Sequence, residues 1–395
     1  MSLYSLRCGV QPYAWGSSTL MAERFDWPVT GEPQAELWIG AHPKLTSEVL
    51  RNGHWVSLVD AISADPQTWL GSPAVARFGP TLPMLMKVLA IAEPLSLQAH
   101  PSPAQAVAGF AREDALGIDR LAPERSYRDD RAKPELICAL TTMETLCGFR
   151  ALDECRSLLA AAGPSIAALG AMLKSEDDLP QVVGSLLTAD PVRQRVLVTE
   201  LLGSLNQLPW VVGSLIRQLA TRYPDDVGVV VSLLLNHVTL EPGEAIFLPA
   251  GNMHAYLSGL GVEVMANSDN VLRGGLTPKH VDVPELLSTL VPIAGPWAKA
   301  PSVSVGGVEQ WTTPAAEVEL TRADVASLTR PVTFQISTGP TLFVVSDGAV
   351  VLTPADGSAM EFGAGETAYG MPELNLSVSG FGTVWRSSVN FDAAP

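Results

Sequence analysis

Cysteine is scarce in this chain of 395 residues, and none of its four cysteines forms a CxxC pair. Neither a zinc-finger spacing nor a disulfide framework is indicated. Long apolar runs are also missing: the longest, Val229 to Leu235, is interrupted by Ser232 and is far too short to span a bilayer. The opening stretch MSLYSLRCGVQPYAWG lacks the apolar core of a signal peptide. We therefore expect a cytoplasmic protein with no membrane partner.

Basic residues are in the minority, with 25 Lys and Arg against 41 Asp and Glu, and the formal net charge is −16. This balance argues against a nucleic-acid partner, because a phosphate backbone requires a basic surface. A small anionic ligand would need a local cationic pocket. The apolar fraction of 47% is sufficient for two or three domains with buried cores.

Four segments differ in their patterning. Residues 1–150 contain short strand-like runs broken by Pro and Gly, and residues 151–226 show helical spacing of Leu, Val and Ala, with Asp153 as a candidate helix cap. Strand patterning resumes in residues 227–307, which end in a Pro- and Gly-rich linker. Residues 308–395 alternate cleanly, with turns predicted at Asp347-Gly348 and Asp356-Gly357. Their GETAYGMPEL echoes the earlier GEAIFLPAG, which indicates a second barrel of the same kind without a metal ligand.

The stretch GEAIFLPAGNMHAYL places a single histidine, His254, shortly after a Pro-x-Gly turn. A core histidine with a backbone partner would explain this position, and so would a metal ligand. The spacing of Gly243, Pro249, Gly251 and His254 matches the second motif of the cupin barrels, in which the turn reverses the backbone and the imidazole points into the barrel. The final Asn of that motif is Ser258 here.

Further polar residues are candidates to accompany His254. If LSLQAHP is a strand, Ser96, Gln98 and His100 share one face, although a solvated edge strand would alternate in the same way. The motif KPE puts Glu135 at the start of an apolar strand, where a carboxylate has to be paired or bound to a metal. The candidate metal ligands are Gln98, His100, Glu135 and His254. Two nitrogens and two oxygens suit zinc, while manganese, cobalt and iron accept the same geometry.

These residues depart from the usual cupin pattern, since Gln98 replaces the first histidine and Glu135 lies 35 residues beyond His100. The departure closely resembles type I phosphomannose isomerases. The matching motifs are PYAWG (12–16), ELWIGAHP (36–43), LSLQAHP (95–101), KPE (133–135), PAGNMHAY (249–256) and EVMANSDNVLRGGLTPKH (263–280). The resemblance implies one zinc ion per chain on the four candidate ligands and interconversion of mannose 6-phosphate and fructose 6-phosphate.

An aldose–ketose interconversion moves a proton between C1 and C2 through an enediol, which requires a Lewis acid and a proton carrier. Glu263, Asp269 and Lys133 are the candidates for the proton carrier, and the sequence leaves the choice among them open. The resemblance implies that Arg273 also lies at the reacting centre. Arginine stays protonated and is a poor base, so we expect Arg273 to stabilise charge.

The phosphorylated substrate needs cations despite the acidic composition. Arg273 and Lys279 lie six residues apart across a Gly-Gly turn, and Lys87 and Ser96 are further candidates for binding the substrate. For Lys87 the alternative is an ordinary strand lysine. Tyr256 shares a strand face with His254 and is expected to line the sugar site.

Two residues of the family motifs have simpler explanations than chemistry. Trp15 resembles a family position near the pocket, where it is a candidate for binding the substrate, but buried tryptophans are usually packing residues and a core position is favoured. For His42, in the ELWIGAHP motif, a structural hydrogen bond is expected rather than metal ligation.

The expected fold is mainly β with a helical insertion, in which a cupin-type jelly-roll β barrel carries the metal site and a ligand-free C-terminal β barrel follows. Two other functions are weighed against the isomerase. An iron-dependent cupin dioxygenase would use a His/carboxylate set with open positions, against which Gln98 and the Arg273–Lys279 pair argue. A non-catalytic phosphosugar-binding cupin would leave the complete ligand set unexplained. A monomer is expected, with an oligomer left open.

Overall fold

The structure is a computed structural model that describes residues 2–325 and 331–393. It is mainly β-sheet, with short helices between the strands, as the sequence predicts. In chain order the strands are β1 Leu3–Arg7, β2 Gly9–Gln11, β3 Glu36–Ile39, β4 Ala41–His42, β5 Leu45–Thr46, β6 Glu48–Arg51, β7 His54–Ser57, β8 Met84–Ile91, β9 Gln98–Ala99, β10 Glu135–Ala139, β11 Met143–Phe149, β12 Leu235–Leu240, β13 Ala245–Leu248, β14 His254–Ala266, β15 Leu272–Arg273, β16 Val303–Val305, β17 Val308–Thr312, β18 Glu319–Asp324, β19 Val332–Ser337, β20 Thr341–Pro354, β21 Met360–Gly363, β22 Thr367–Gly370 and β23 Leu374–Ser388.

Most helices are short. They are α1 Leu20–Phe25, α2 Leu58–Ala64, α3 Pro66–Leu70, α4 Ser72–Phe78, α5 Pro103–Ala115, α6 Leu152–Ala161, α7 Pro164–Gly170, α8 Leu179–Leu187, α9 Pro191–Gly203, α10 Trp210–Arg222, α11 Gly228–Val231 and α12 Val283–Thr289. Single 3₁₀ turns occur at Glu176–Asp178, Leu205–Gln207 and Ser232–Leu234. No helix within residues 2–325 or 331–393 combines the length and apolarity needed to cross a membrane.

Strand β14 is the centre of a sheet that has ten strands in the described residues. It pairs with β8 and β10, so that Val262 lies opposite both Val88 and Cys138. Every residue of β8 and β10 is buried. Strands that are covered on both faces appear in a sequence as nearly continuous apolar runs, as MLMKVLAI and ELICA do here.

The second large sheet joins the two ends of the chain. Strands β1, β6 and β7 come from the N-terminal segment, and they pair through β22 with the C-terminal strands, with Leu3 opposite Gly370. Strands β20 and β23 form its long central pair. In the Pro- and Gly-rich stretch before this sheet, residues 296–302 have no regular structure and β16 begins at Val303.

One of the two turns predicted in the C-terminal segment is wrong. Asp347 and Gly348 lie inside β20, opposite Thr383 and Gly382, just after a register shift at Val345. Gly348 has a φ of +67°, and a Cβ there would come within 2.1 Å of the Phe381 oxygen. An Asp-Gly pair therefore marks a β-bulge here rather than a hairpin end. The Asp356-Gly357 turn is confirmed between β20 and β21.

Helices α6 to α10 lie in the segment predicted to be helical, although two details of that prediction are wrong. The chain remains helical through Ser232–Leu234, so strand structure resumes at Leu235 rather than at Val227. Asp153 lies in the first turn of α6, whose N-cap is Ala151. Helix α9 begins with a side-chain cap: Asp190, which precedes Pro191, accepts hydrogen bonds from the backbone N–H groups of Val192 and Arg193.

A single cluster of buried apolar side chains joins the two large sheets. The ten-stranded sheet contributes Met86, Val88, Leu136 and Val262, and the other sheet contributes Trp311, Leu342, Val344 and Trp385. Trp311 and Trp385 stack with ring centroids 6.0 Å apart. Because these side chains form one core, the two sheets should unfold together.

We expect Leu342→Ala to lower the free energy of unfolding by about 2–5 kcal/mol, since the side chain is fully buried in this shared core. Leu116→Ala is the control, because Leu116 is exposed and should change the stability by less than about 0.5 kcal/mol. Denaturant unfolding followed by near- and far-UV circular dichroism measures both effects. A variant that shifted only one of two separate transitions would contradict the shared core.

Candidate active site and metal centre

The short strand β9 brings two distant parts of the chain together. Gln98 lies opposite His254 of β14 on one side and opposite Arg273 of β15 on the other. His100 follows directly after β9. Leu97 extends the pairing beyond β9, because its N–H donates to the Gly275 oxygen. The strand predicted over residues 95–100 is therefore shorter than expected, but Gln98 still lies opposite both His254 and Arg273.

The turn before His254 depends on Gly251. Its φ is +76°, and a Cβ would come within 2.4 Å of Val291 Cγ2 and 2.8 Å of the Thr289 oxygen. Its N–H donates to the His100 carbonyl oxygen over 2.8 Å. The Pro-x-Gly turn thus delivers His254 and also fastens it to the segment that carries His100.

His100, Glu135 and His254 form a buried cluster in which the three candidate ligand atoms lie within 4.8 Å of one another. Each histidine Nε2 is 3.3 Å from one oxygen of the Glu135 carboxylate. The other ring nitrogens are engaged, with His100 Nδ1 2.7 Å from the Asn270 oxygen and His254 Nδ1 3.1 Å from the Asn252 oxygen. Both Nδ1 atoms can therefore carry the proton, which leaves the Nε2 lone pairs directed at the cluster.

Within the part of the chain that the structure describes, three buried atoms of this cluster have no hydrogen-bond partner. They are His100 Nε2, His254 Nε2 and Glu135 Oε2. Buried polar atoms are nearly always satisfied in native proteins, so three of them converging on one point indicate a ligand-binding site. A divalent cation fits, because imidazole nitrogens and a carboxylate oxygen are its ordinary ligands.

Gln98 is the fourth predicted ligand. It lies opposite His254 in the sheet, is half-buried and lines the cleft above the cluster. Gln98 therefore lies beside the cluster of His100, Glu135 and His254, and its side chain makes no hydrogen bond within the described residues.

The protonation of the cluster suits a metal. Burial lowers the pKa of His100 to about 4, which outweighs the attraction of the Glu135 carboxylate and keeps the ring neutral. Burial raises the pKa of Glu135, but Lys133 and His100 outweigh it and hold the pKa well below its ordinary value. Lys133 Nζ lies 3.0 Å from Glu135 Oε1. The carboxylate is thus charged and held in place from outside the cluster.

A second polar group lies next to the metal cluster on the same sheet. Lys87 Nζ is 3.3 Å from Glu36 Oε2 and 3.6 Å from Glu263 Oε2, and the Tyr256 hydroxyl donates to Glu263 Oε1 over 3.0 Å. Burial and the nearby charge of Glu135 raise the pKa of Glu263 to about 7. Burial would lower the pKa of Lys87, but the carboxylates outweigh it and the pKa is raised.

Glu36 was not singled out in the sequence. Its Oε2 accepts a hydrogen bond from Trp38 Nε1 over 2.6 Å as well as facing Lys87. The available signal was the alternation of Glu36 and Trp38 within ELWIG, which puts both residues on one face of β3.

The two polar groups open into a cleft of about 1180 Å³. The predicted site residues that line it are Trp15, Lys87, Ser96, Gln98, Lys133, Glu135, Tyr256, Glu263, Asp269, Arg273 and Lys279. Trp15 is half-buried, stacks on Tyr13 with centroids 5.8 Å apart and packs against a buried apolar cluster, so it belongs both to the cleft wall and to the edge of the core. His100 and His254 are buried and face Glu135, which lines the cleft. The structure therefore brings every candidate residue to one place.

Asp269 and His42 meet at the edge of the cleft, with His42 Nε2 3.5 Å from Asp269 Oδ2. His42 Nδ1 accepts a hydrogen bond from the Lys44 N–H, and its ring packs edge-on against Trp38. Burial lowers the pKa of His42 despite Asp269. These contacts are of the kind expected for a structural role of His42, which stays a prediction.

Cations collect in this cleft without acidic partners. In the described residues, Arg273 and Lys279 make no ion pair, and neither do Lys44 and Arg128, which also line the cleft and were missed in the sequence. Burial and the charge of Arg128 lower the pKa of Arg273, and burial and the other three cations lower the pKa of Lys279. Unpaired cations that repel one another form a site for an anion.

Comparisons with known proteins agree with this geometry. Residues 3–152 match the family model of the type I phosphomannose isomerase catalytic domain. The mannose-6-phosphate isomerase of Escherichia coli is 44% identical over 288 residues, 71% of this chain and 73% of the relative. The human mannose-6-phosphate isomerase is 36% identical over 319 residues, 73% of each chain.

A solved structure extends the likeness to the whole fold. The crystal structure of the mannose 6-phosphate isomerase from Salmonella typhimurium bound to substrate (fructose 6-phosphate) and zinc has a TM-score of 0.91 and 37% identity. It covers 99% of this chain and 100% of its own. The chain therefore belongs to the type I mannose-6-phosphate isomerase family.

Proposed function

We propose that this protein interconverts mannose 6-phosphate and fructose 6-phosphate in the cleft described above, as the names of its relatives indicate. The observation that carries the proposal is the pairing of two features in one cavity. Its floor holds a buried cluster with three unsatisfied ligand atoms, and its walls carry four cations without acidic partners. A phosphorylated sugar that spans both features would satisfy both.

Zinc is the metal cofactor, held in this proposal by Gln98, His100, Glu135 and His254, with one ion per chain. Two imidazole nitrogens, a carboxylate oxygen and an amide oxygen suit zinc, and manganese, cobalt and iron accept the same set. When bound, zinc acts as a Lewis acid that polarises the sugar oxygens at C1 and C2. Relatives of known structure contain zinc.

The proton between C1 and C2 needs a carrier near the cluster. Glu263 is supported by its pKa of about 7, because a general base is most efficient when its pKa is close to the working pH. It is also held in place, since Tyr256 and Lys87 contact its two oxygens. Lys133 is paired with Glu135, and Asp269 faces His42, which makes both less free to move a proton. Arg273 is proposed to stabilise negative charge on the enediol oxygens.

The phosphate is proposed to bind at Arg273 and Lys279, with Arg128 and Lys44 beside them and Ser96 as a hydroxyl donor. A guanidinium binds phosphate through two parallel hydrogen bonds, and an ammonium binds it as a point charge. Lys87 is paired with two carboxylates in the interior, so we assign it, with Tyr256 and Trp15, to the sugar end of the substrate.

Two other functions are not favoured. The relatives named above are all isomerases. None of them is an iron-dependent cupin dioxygenase or a non-catalytic phosphosugar-binding cupin. The dioxygenase would also leave the four cleft cations unexplained.

The finer architecture is part of the proposal. We infer a cupin jelly-roll barrel built from residues 1–150 and 227–307, a helical insertion at 151–226, and a ligand-free C-terminal barrel at 308–395, of which residues 326–330, 394 and 395 lie outside the described part. Strands β1, β6 and β7 of the first segment pair with the last segment, so the division is one of sequence rather than of sheets. A cytoplasmic monomer is proposed.

Removal of the metal should abolish turnover. We expect about one zinc per chain in the purified protein, loss of activity on chelation and recovery when zinc is restored, since the ligands are preformed in the fold. His254→Ala should lose the metal as well as the activity. His54→Ala, a change of an exposed histidine in the other sheet, should retain both. Full activity of thoroughly zinc-free protein would refute the metal-dependent mechanism.

Loss of a cation that binds the phosphate should weaken binding of the phosphorylated sugar. We expect Lys279→Ala to raise KM for mannose 6-phosphate strongly and nearly to erase the preference over free mannose, because the charge acts equally in ground and transition states. Arg128→Ala should act in the same direction. Lys174→Ala removes an exposed lysine from the helical segment and is the control. A normal KM in the Lys279 variant would refute its role.

Loss of Arg273 should instead affect the chemical step. We expect Arg273→Ala to lower kcat by about 10²-fold, comparable with the loss of one oxyanion-stabilising donor, and to retain zinc. Arg195→Ala, at an exposed position on α9, should leave kcat unchanged. Steady-state kinetics and metal content measure these outcomes, and an unaltered kcat for the Arg273 variant would remove it from the reacting centre.

A further inference from the structure

Asn270 is completely buried, and its side-chain amide uses its full hydrogen-bonding capacity on one neighbouring segment. Its Oδ1 accepts from the N–H groups of Arg128, over 2.7 Å, and Asp129, over 3.2 Å. Its Nδ2 donates to the carbonyl oxygens of Asp129 and Arg131, each over 2.8 Å. Two donors facing the oxygen and two acceptors facing the nitrogen allow only one orientation of the amide.

The backbone of the same residue contacts the metal cluster. The Asn270 carbonyl oxygen lies 2.7 Å from His100 Nδ1. This contact places the proton on Nδ1 and leaves Nε2, which has no hydrogen-bond partner, as the ligand atom. The direction of the Asn270 carbonyl therefore decides the orientation of the His100 ring.

Neighbouring residues hold Asn270 in this position. Ser268 Oγ accepts from the Asn270 N–H over 3.2 Å and donates to Asp129 Oδ1 over 2.8 Å. Asp129 Oδ2 accepts from the Asp269 N–H over 2.8 Å. Residues 268–270 and 128–131 are thus fastened to each other at several points, although 137 or more positions separate them in the chain.

The fastened segment also carries charges of the site. Arg128 lines the cleft among the unpaired cations. Further along the same segment, Lys133 reaches Glu135 of the metal cluster. A shift of residues 128–131 would move a proposed phosphate contact at one end and the partner of a metal ligand at the other.

We propose that Asn270 is a positioning residue that sets the metal centre and the phosphate-binding end of the cleft together, through its carbonyl contact with His100 and its amide contacts with residues 128–131. This inference rests on the proposed function. It assigns Asn270 no contact with substrate or metal. Its role is to hold the metal and the phosphate-binding cation at a constant separation, which a substrate that reaches both requires.

The test uses Asn270→Asp in the full-length protein. The substitution keeps the shape of the side chain but turns an oxygen toward the carbonyls of Asp129 and Arg131 in place of the N–H donors. We expect the dissociation constant for zinc to rise by about tenfold or more, as for other changes behind a metal ligand. KM for mannose 6-phosphate should rise more than KM for free mannose.

Asn267→Asp is the matched control. It makes the same amide-to-acid change three residues earlier, where Nδ2 faces the Leu82 oxygen and not the 128–131 segment. Both zinc affinity and the preference for the phosphorylated sugar should stay within about twofold of the wild type, because Asn267 hydrogen-bonds neither the metal cluster nor residues 128–131 within the part of the chain that the structure describes. Zinc affinity is measured by competition with a chelator of known strength, so this readout does not depend on activity.

Ser268→Ala decides the question if the Asn270 variant does not fold. It removes the hydroxyl that contacts both Asn270 and Asp129 without burying a charge, and it should weaken both properties about two- to tenfold or more, since each lost hydrogen bond contributes about 0.5–1.5 kcal/mol. Folded variants with wild-type zinc affinity and wild-type sugar preference, whatever their melting temperature, would overturn the proposal. A wild-type protein without zinc or isomerase activity would instead refute the proposed function, so the two failures are distinguishable.

Discussion

The Glu135 carboxylate, buried between two histidines, is the constraint on which the rest of the site depends. A charge removed from water must be compensated. The imidazoles do not compensate it as hydrogen-bond donors, because their Nδ1 atoms face backbone oxygens and their Nε2 lone pairs face the carboxylate at 3.3 Å. Lys133 supplies part of the compensation. In the proposed metal site, a divalent cation supplies the rest.

The distribution of charge follows from the same requirement. An acidic protein with a net charge of −16 would repel a phosphorylated sugar unless cations were kept free of acidic partners near the site. Lys87 and Lys133, which are deep in the cleft, are neutralised by carboxylates, whereas Arg128, Arg273, Lys44 and Lys279 are not. In the proposed mechanism the paired cations oppose the rise that burial causes in the pKa of the carboxylates at the reacting centre, and the unpaired cations bind the phosphate.

How much of the site could be predicted depended on the range of the contacts. His254, His100 and Glu135 were found because each lies in a short motif whose local turn or strand delivers it. Arg128 and Lys44 were missed, since they belong to loops whose position is set by distant partners such as Asn270 and Tyr13. The error at Asp347-Gly348 has another origin: a positive φ is needed both at a hairpin end and at a bulge, and only the partner strand distinguishes them.

The pairing of Leu3 with Gly370 has a consequence for synthesis of the chain. Strand β1 leaves the ribosome about 370 residues before its partner β22, which at about 5–20 residues per second is a delay of roughly 20 to 70 s. Throughout that time the edge of β1 that faces β22 is without its native partner, although β6 and β7 can already pair on the other side. Contacts of such large sequence separation slow folding, so an unpaired strand edge that could template aggregation persists until the last strands emerge.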